Sequence, residues 1–291
     1  MILLTGATGA VGYELAKIFA SGGMAAKAVV RSSLAAEKLA ALSGIEPVTG
    51  DFDDEASLDA ALVGIERVFL LTNSTEKAEA QQLAFVAAAK RAGVKHIVKL
   101  SQLHAAADSP VRFLRYHAAV EHSIRESGMD YTFLRPNLFM QGLLGFKDTI
   151  AQGQLFAPIG TSKVSLVDIR DIAAVAFEAL TTPDHVGRSY DITGPEALSH
   201  PEIAARIGTA IGATVAFIEI PPAAMLDAVL QVGFLPWQAE GLIEDYAHYA
   251  RGEAEAVSPD APAVIGRPAR DFDAFLDDYK AVFSGPLGAG K

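Results

Sequence analysis

The chain has 291 residues, 51% of them hydrophobic, with 24 Lys plus Arg against 35 Asp plus Glu for a net charge of −11, and no cysteine. That length and apolar content suit one large domain, or a domain with a smaller lobe, and exclude a disordered chain. The acidic balance argues against a nucleic-acid binder that neutralises phosphates, and the lack of Cys removes disulfides, thiol nucleophiles and Cys-based metal sites.

Elements follow in chain order. Ile2 to Thr5 reads as a strand and Val11 to Ala20 as a helix; Ala26 to Arg31 is a second strand and Ala35 to Leu42 a second helix. Pro47 to Gly50 is a short strand, with a helix behind it through Leu62. Val68 to Leu71 is a buried-type strand, followed by a helix from Glu76 to Ala92, a strand at Ile97 to Leu100, a helix from Val111 to Ser127 and a strand at Tyr131 to Leu134. Strands alternating with helices mean βαβ units and a parallel sheet, and continuous apolar strands fit a sheet covered on both faces. Residues 137–163 lack a clear period and read as loops around a short helix. A strand at Val164 to Val167, a helix at Asp171 to Leu180 and a strand at Tyr190 to Ile192 come next. Ser199-His200-Pro201-Glu202 fits a capping box, opening a helix that stops at Gly212. Val215 to Ile220 alternates like a strand; helices at 223–232, 237–251 and around Phe272 to Tyr279 complete the chain, with a fraying tail from Gly285.

Gly6-Ala7-Thr8-Gly9-Ala10-Val11-Gly12 follows the first strand and opens the first helix. There, small residues let the backbone approach a pyrophosphate whose charge sits at a helix N-terminus. The segment from Gly6 through Thr8, Gly9, Ala10 and Val11 to Gly12 is therefore expected to bind a dinucleotide. Arg31 and Ser32 end the second strand, where an NAD site would carry Asp or Glu for the ribose 2′-OH. A guanidinium suits a 2′-phosphate, which favours NADP(H); the alternative is a solvated Arg at a strand end. Asp51 and Phe52 follow the third strand, where Asp can accept from the adenine amino group, or where this turn simply caps a helix through Asp53 or Asp54.

Three patterns mislead. Tyr13 and Lys17 match Y-x-x-x-K, but they lie just after the phosphate loop, and at the later position Tyr116 has Val120 where the Lys should stand. Gly285 to Lys291 spells G-x-x-x-x-G-K without the Ser or Thr and the following helix that a P-loop needs. Of His117, Glu121 and His122, only the first two share a helix face, so no metal is expected.

Four stretches together resemble the NmrA-like branch of the atypical short-chain dehydrogenases: Thr5-Gly6-Ala7-Thr8-Gly9, Arg31-Ser32, His117-Ala118-Ala119-Val120-Glu121, and the run from Ser127 to Met140 that contains Tyr131-Thr132, Leu134-Arg135-Pro136 and Phe139. Leu235-Pro236-Trp237, Gly266-Arg267-Pro268 and Phe272-Asp273-Ala274-Phe275 look like that family's closing segments. The resemblance implies an α/β fold: a Rossmann-type doubly wound parallel sheet (residues 1–183, with lobe loops at about 137–163), a smaller C-terminal substrate lobe (184–285) and a tail (286–291). NADPH would run along the C-terminal strand edges, near Leu71, Thr72 and Asn73, then Ser101 and Gln102 at the nicotinamide. The loop of Pro136, Asn137, Leu138 and Phe139 would close over it. The catalytic candidates are His117 and Ser101. His117 stands where relatives often carry Lys or His in place of the dehydrogenase Tyr, and with an ordinary pKa of about 6.5 it could act as a general acid. It could equally contact the cofactor or cap the site.

Leu103, Phe113, Tyr116, Phe139, Met140, Phe146, Phe234 and Trp237 are candidates for the substrate pocket, each also fit for ordinary core packing. As one set around a cleft they suggest a flat, quinone-like or aromatic substrate. Hydride addition to such an acceptor spreads the charge and asks less of a protein acid, in keeping with the missing Tyr/Lys pair. The leading expectation is thus an NADPH-dependent reductase of a small molecule, cytoplasmic and without membrane or direct nucleic-acid contact. Two alternatives stand beside it: a non-catalytic NADP(H) sensor acting on a protein partner, and a specialised natural-product ketoreductase or isomerase.

Overall fold

A computed structural model of the chain describes residues 1–284. The G-x-x-x-x-G-K spelling and the tail from Gly285 lie outside them. The first half runs β1 (Ile2–Leu4), α1 (Ala10–Ser21), β2 (Ala26–Val30), α2 (Ser33–Ala40), β3 (Ile45–Thr49), α3 (Glu55–Ala61), β4 (Arg67–Leu70), α4 (Ala78–Arg91), β5 (His96–Leu100), α5 (Arg112–Glu126) and β6 (Asp130–Pro136). After a 3-10 helix at Met140–Phe146 come α6 (Lys147–Ala151), β7 (Gln154–Ala157), β8 (Lys163–Val164), α7 (Ile169–Thr181), β9 (Arg188–Ile192), β10 (Leu198–Ser199) and α8 (His200–Ile211). The chain continues through β11 (Ala216–Glu219), α9 (Pro222–Gln231), α10 (Pro236–Ala250), α11 (Asp260–Ile265) and α12 (Phe272–Phe283).

Seven strands form one sheet in the order β3-β2-β1-β4-β5-β6-β9, and every pairing is parallel. This is the expected doubly wound fold. Its central strands are apolar on both sides: Val68, Phe69 and Leu70 have no exposed surface. One face packs on α1 and α7 through Leu15, Phe19, Ile172 and Val175; the other packs on α3, α4 and α5 through Leu58, Phe85, Val120 and Ile124. The order reverses at β1, whose neighbours β2 and β4 carry the chain to opposite sides, and a crevice opens there at the C-terminal edge. Thr5 holds the strands together at that edge. Its N–H donates to the Phe69 carbonyl at 3.0 Å, and its hydroxyl accepts from the Leu71 N–H at 2.8 Å.

The second unit pairs β7 with β11 and β8 with β10, covered by α8, α9, α10 and α12. The Ser199–Glu202 capping box opens α8, and Gly212 closes it at φ 68°. The boundary expected at residue 183 does not divide the chain so simply. β9 adds to β6 in the main sheet, and α11 supplies Ala261 to the core under α7, whereas the 3-10 helix and β7 build the lobe. Residues 137–163 hold a strand that periodicity missed, because β7 is four residues long and pairs with a segment far along the chain. Conversely, only Val164 of the expected Val164 to Val167 strand joins a ladder, together with Lys163 before it; Val167 makes an isolated bridge to Phe139.

Two core histidines sit in these layers. His96 Nε2 lies 2.9 Å from Thr132 Oγ1, which itself donates to the His185 carbonyl, so the imidazole is the donor. Burial pushes His96 and His200 down to about 4. In the unfolded chain both regain a pKa of about 6.5, so below that value the unfolded state binds more protons. Stability is therefore expected to fall as pH is lowered from about 6.5 toward about 4. Urea midpoints at the two ends of that window check it, and His200→Phe should shrink the difference.

Candidate active site

The crevice at the strand reversal is a cleft of about 630 Å³. Gly6 turns at φ 64°, and a Cβ there would meet Leu71 Cγ at 2.9 Å. A Cβ on Gly12 would collide with the Gly6 carbonyl and lie 2.9 Å from Ala7 Cα, so α1 can press on the loop only with Gly at this position. Gly9 is the N-cap and has no side chain to cap with. The first-turn N–H groups of α1 thus lie free at the positive end of the helix dipole, ready for an anion.

Of the residues expected at a dinucleotide, Gly6, Thr8, Gly9, Ala10, Val11, Arg31, Ser32, Asp51, Phe52, Leu71, Thr72, Asn73 and Phe139 line this cleft. Arg31 is exposed at the rim. Ser32 caps α2 by accepting from the Ala35 N–H at 3.2 Å, which leaves its own proton available. Asp51 Oδ1 accepts from the Asp53 N–H, while Asp54 caps α3. Phe52 stacks on Phe85 with centroids 5.2 Å apart. Lys38 reaches back over the loop, donating to the Thr8 carbonyl at 2.6 Å. Lys17 of the misleading Tyr13/Lys17 pair bonds Glu14 on the same helix.

The later candidates belong to a network behind that wall. Thr72 Oγ1 accepts from Gln82 Nε2 at 2.7 Å, and Gln82 Oε1 accepts from Lys99 Nζ at 2.7 Å. Lys99 Nζ also lies 3.0 Å from the Leu100 carbonyl and 3.0 Å from His117 Nδ1. Burial pushes Lys99 down to about 7, against the supporting charge of Glu121. Burial, then the Lys99 charge, holds His117 well below its ordinary value. This favours the neutral imidazole, which argues against His117 as an ordinary general acid. Ser101 donates to Glu121 Oε1 at 2.6 Å, and Glu121 also takes Arg135 at 2.6 and 2.9 Å and Arg125 at 3.1 Å. Burial would raise the Glu121 carboxyl, but hydrogen bonds from Arg135 and Ser101 and the two arginine charges outweigh it and keep it below the usual range. Glu121 and His117 thus have separate partners, and no group of three metal-holding side chains occurs among the described residues.

Gln102 Nε2 donates to both oxygens of Asp245 on α10, at 3.0 and 3.2 Å. Burial pushes the Asp245 carboxyl up to about 7. Asn137 is spent inside the fold, donating to Ser165 Oγ and the Ala254 carbonyl. The Pro136 carbonyl accepts from the Leu103 N–H, and Leu138 packs into the lobe.

The aromatic set does not surround one cleft. Phe113, Tyr116 and Trp237 cluster where α5 meets α10, and Tyr116 OH bonds Ser74 at 2.8 Å. Met140 and Phe146 pack in the lobe core, Leu103 is buried, Phe234 is exposed on the lobe, and Phe139 alone of the set lines the large cleft. A second hollow of about 440 Å³ lies between the loop after β5 and the end of α10, lined by His104, Asp108, His248 and Glu253. None of these four was singled out in the sequence, nor were Lys99, Gln82 and Asp245, and Glu121 was weighed there only as a metal partner of His117. Lys99 alone left a sign, as a lysine inside the apolar run Ile97-Val98-Lys99-Leu100.

Residues 1–267 match the model of the NmrA-like family. An NAD(P)H azoreductase of Xenophilus azovorans is 38% identical over 97% of this chain and 99% of that protein. A (4-alkanoyl-5-oxo-2,5-dihydrofuran-3-yl)methyl phosphate reductase of Streptomyces griseus is 36% identical over 98% of this chain and 99% of that one. Among solved structures, an NADPH-dependent quinone oxidoreductase from Escherichia coli, complexed with NADPH, superposes with a TM-score of 0.86 at 28% identity, covering 96% of this chain and 99% of the other.

The Glu121 cluster gives a stability test. Glu121→Gln keeps the shape but leaves Arg135 without its buried counter-charge. It should cost about 3 kcal/mol, read as a lower urea midpoint at unchanged slope.

Proposed function

The chain belongs to the NmrA-like family, and on that premise we propose that it is an NADPH-dependent reductase of quinone-like or other conjugated aromatic small molecules. The observation that carries this reading is the uncapped N-terminus of α1, seated against Gly6 through Gly12, with Arg31 exposed at the same cleft. The residues present fit the cofactor. Backbone N–H groups at Ala10 and Val11 would hold the pyrophosphate, Arg31 and Ser32 the 2′-phosphate, and Asp51 and Phe52 the adenine end. Leu71, Thr72, Asn73 and Phe139 would flank the nicotinamide half, with Ser101, Gln102 and His117 behind it.

When bound, NADPH supplies the hydride; a quinone that takes it together with one proton from water leaves as the hydroquinone, beside NADP⁺. The chain contributes position and a closed wall. His117, neutral, can donate a hydrogen bond to an acceptor atom that gains charge, but it does not need to surrender a proton. Azo and quinone groups both delocalise an added hydride, so relatives named for each fit one mode of reduction. No described helix is long and apolar enough to cross a membrane; the diffusible cofactor and acceptor support reading the reaction as cytoplasmic.

Fluorescence titration with NADPH and NADH, followed by nicotinamide absorbance with a panel of quinones and azo dyes, tests the reading. Arg31→Ala should weaken NADPH about 10-fold or more and leave NADH nearly unchanged, the loss of roughly one charge-assisted hydrogen bond. Failure of both nucleotides to bind would overturn the assignment of the Gly6–Gly12 loop; binding without turnover on any acceptor would overturn the reductase.

A further inference from the structure

Lys99 has no exposed surface, and none of its three polar partners is a carboxylate. A buried cation is costly, so this one calls for a reason. We propose that Lys99 is the positioning residue for His117: its ammonium group holds the imidazole as the neutral tautomer with the proton on Nε2. This deepens the reductase reading and rests on it for the use to which that proton is put.

The donor count carries the argument. An ammonium group has three N–H bonds and no acceptor. Lys99 Nζ meets Gln82 Oε1 at 2.7 Å, the Leu100 carbonyl at 3.0 Å and His117 Nδ1 at 3.0 Å. The Gln82 amide cannot turn its NH₂ toward Lys99 without losing its bond from Nε2 to Thr72 Oγ1. Three donors therefore face three lone pairs, provided Nδ1 carries no proton. Nε2 then bears it. His117 Nε2 has no partner among the described residues and is not one of their buried unpartnered atoms, which are Gln141 Nε2 and His200 Nδ1. That edge is open, and Tyr116 covers the ring at 4.1 Å between centroids.

The same count predicts a switch. A neutral amine has two N–H bonds, which Gln82 and Leu100 take, and one lone pair, which faces Nδ1. The imidazole proton then moves to Nδ1, and the open edge changes from donor to acceptor. The groups facing Lys99 set where this happens. Gln82 of α4 is uncharged, Leu70 of β4 and Phe133 of β6 are its apolar register partners, and α5 presents His117, Tyr116 and Glu121. Glu121, itself held charged by Arg125 and Arg135, favours the ammonium, and burial opposes it, placing the change at about 7.

Nitrogen-15 NMR of the imidazoles in the nucleotide-free protein, with His117 assigned by its loss in His117→Gln, reads the tautomer directly. The expected spectrum is Nε2–H below the transition and Nδ1–H above it, with no imidazolium on either side of the step. Lys99→Met should show Nδ1–H already at neutral pH. With NADPH and a quinone, wild-type kcat should fall as pH rises through the same step while the affinity for NADPH holds. Lys99→Met should lose about 10-fold or more in kcat at neutral pH, with KM little changed. A wild-type His117 that titrates as an ordinary imidazolium, or that is Nδ1–H below the step, overturns the proposal, even if Lys99→Met fails to fold. Absence of turnover with the expected spectrum overturns the reductase reading and leaves the tautomer assignment standing.

Discussion

The cleft depends on one divergence in the sheet. Where β1 ends, the chain on one side belongs to β2 and on the other to β4, and nothing in a parallel ladder keeps the two edges in register beyond the last paired residue. On the β4 side Thr5 extends the tie with its backbone and its hydroxyl together, binding Phe69 and Leu71. The glycines can then turn sharply over a fixed floor. A phosphate loop is soft by composition, and its precision comes from the strand ends beneath it and from α1, which closes on Gly6 through the bare Cα of Gly12.

A second contact of the same kind joins the lobe. Gly241 of α10 lies against the Phe113 ring of α5, and a Cβ there would collide with it. Arg112 adds a charged clamp on Glu244 at 2.7 Å. With Gln102 on Asp245, this brings α10 to the end of β5, behind the residues that carry chemistry. The Phe113, Tyr116 and Trp237 cluster is the packing of that joint.

Much of the fold was legible because its signals are local. Short apolar runs such as Val68 to Leu71, bounded by helical stretches, fit strands buried on both faces, and a glycine loop between a strand and a helix has few other uses. Arg31 was visible by its place in the repeat. The misses share a different cause. β7 becomes a strand only when β11 arrives about 60 residues later. His117 could be picked out on α5, but its protonation is decided by Lys99 from β5 and Gln82 from α4. The aromatic residues were identified by type, whereas their direction depends on helix packing that no short window contains. The Tyr116 side chain points into the α5–α10 joint and away from the cleft that has Phe139 in its wall.

The path of the backbone between the two units bears on how such proteins can change. Within the described residues the chain leaves the main sheet after β6, returns for α7 and β9, leaves again, comes back as α11 and enters the lobe once more with α12. A lobe strung on one linker could be traded by a single recombination event and could swing on a single pivot. Here several covalent strands cross the boundary, so exchange by one splice is closed off, and any breathing of the halves must bend those crossings in concert. Diversity in what such a scaffold accepts is then reached by point changes along the facing surfaces, with the cofactor half and the variable half inherited as one piece.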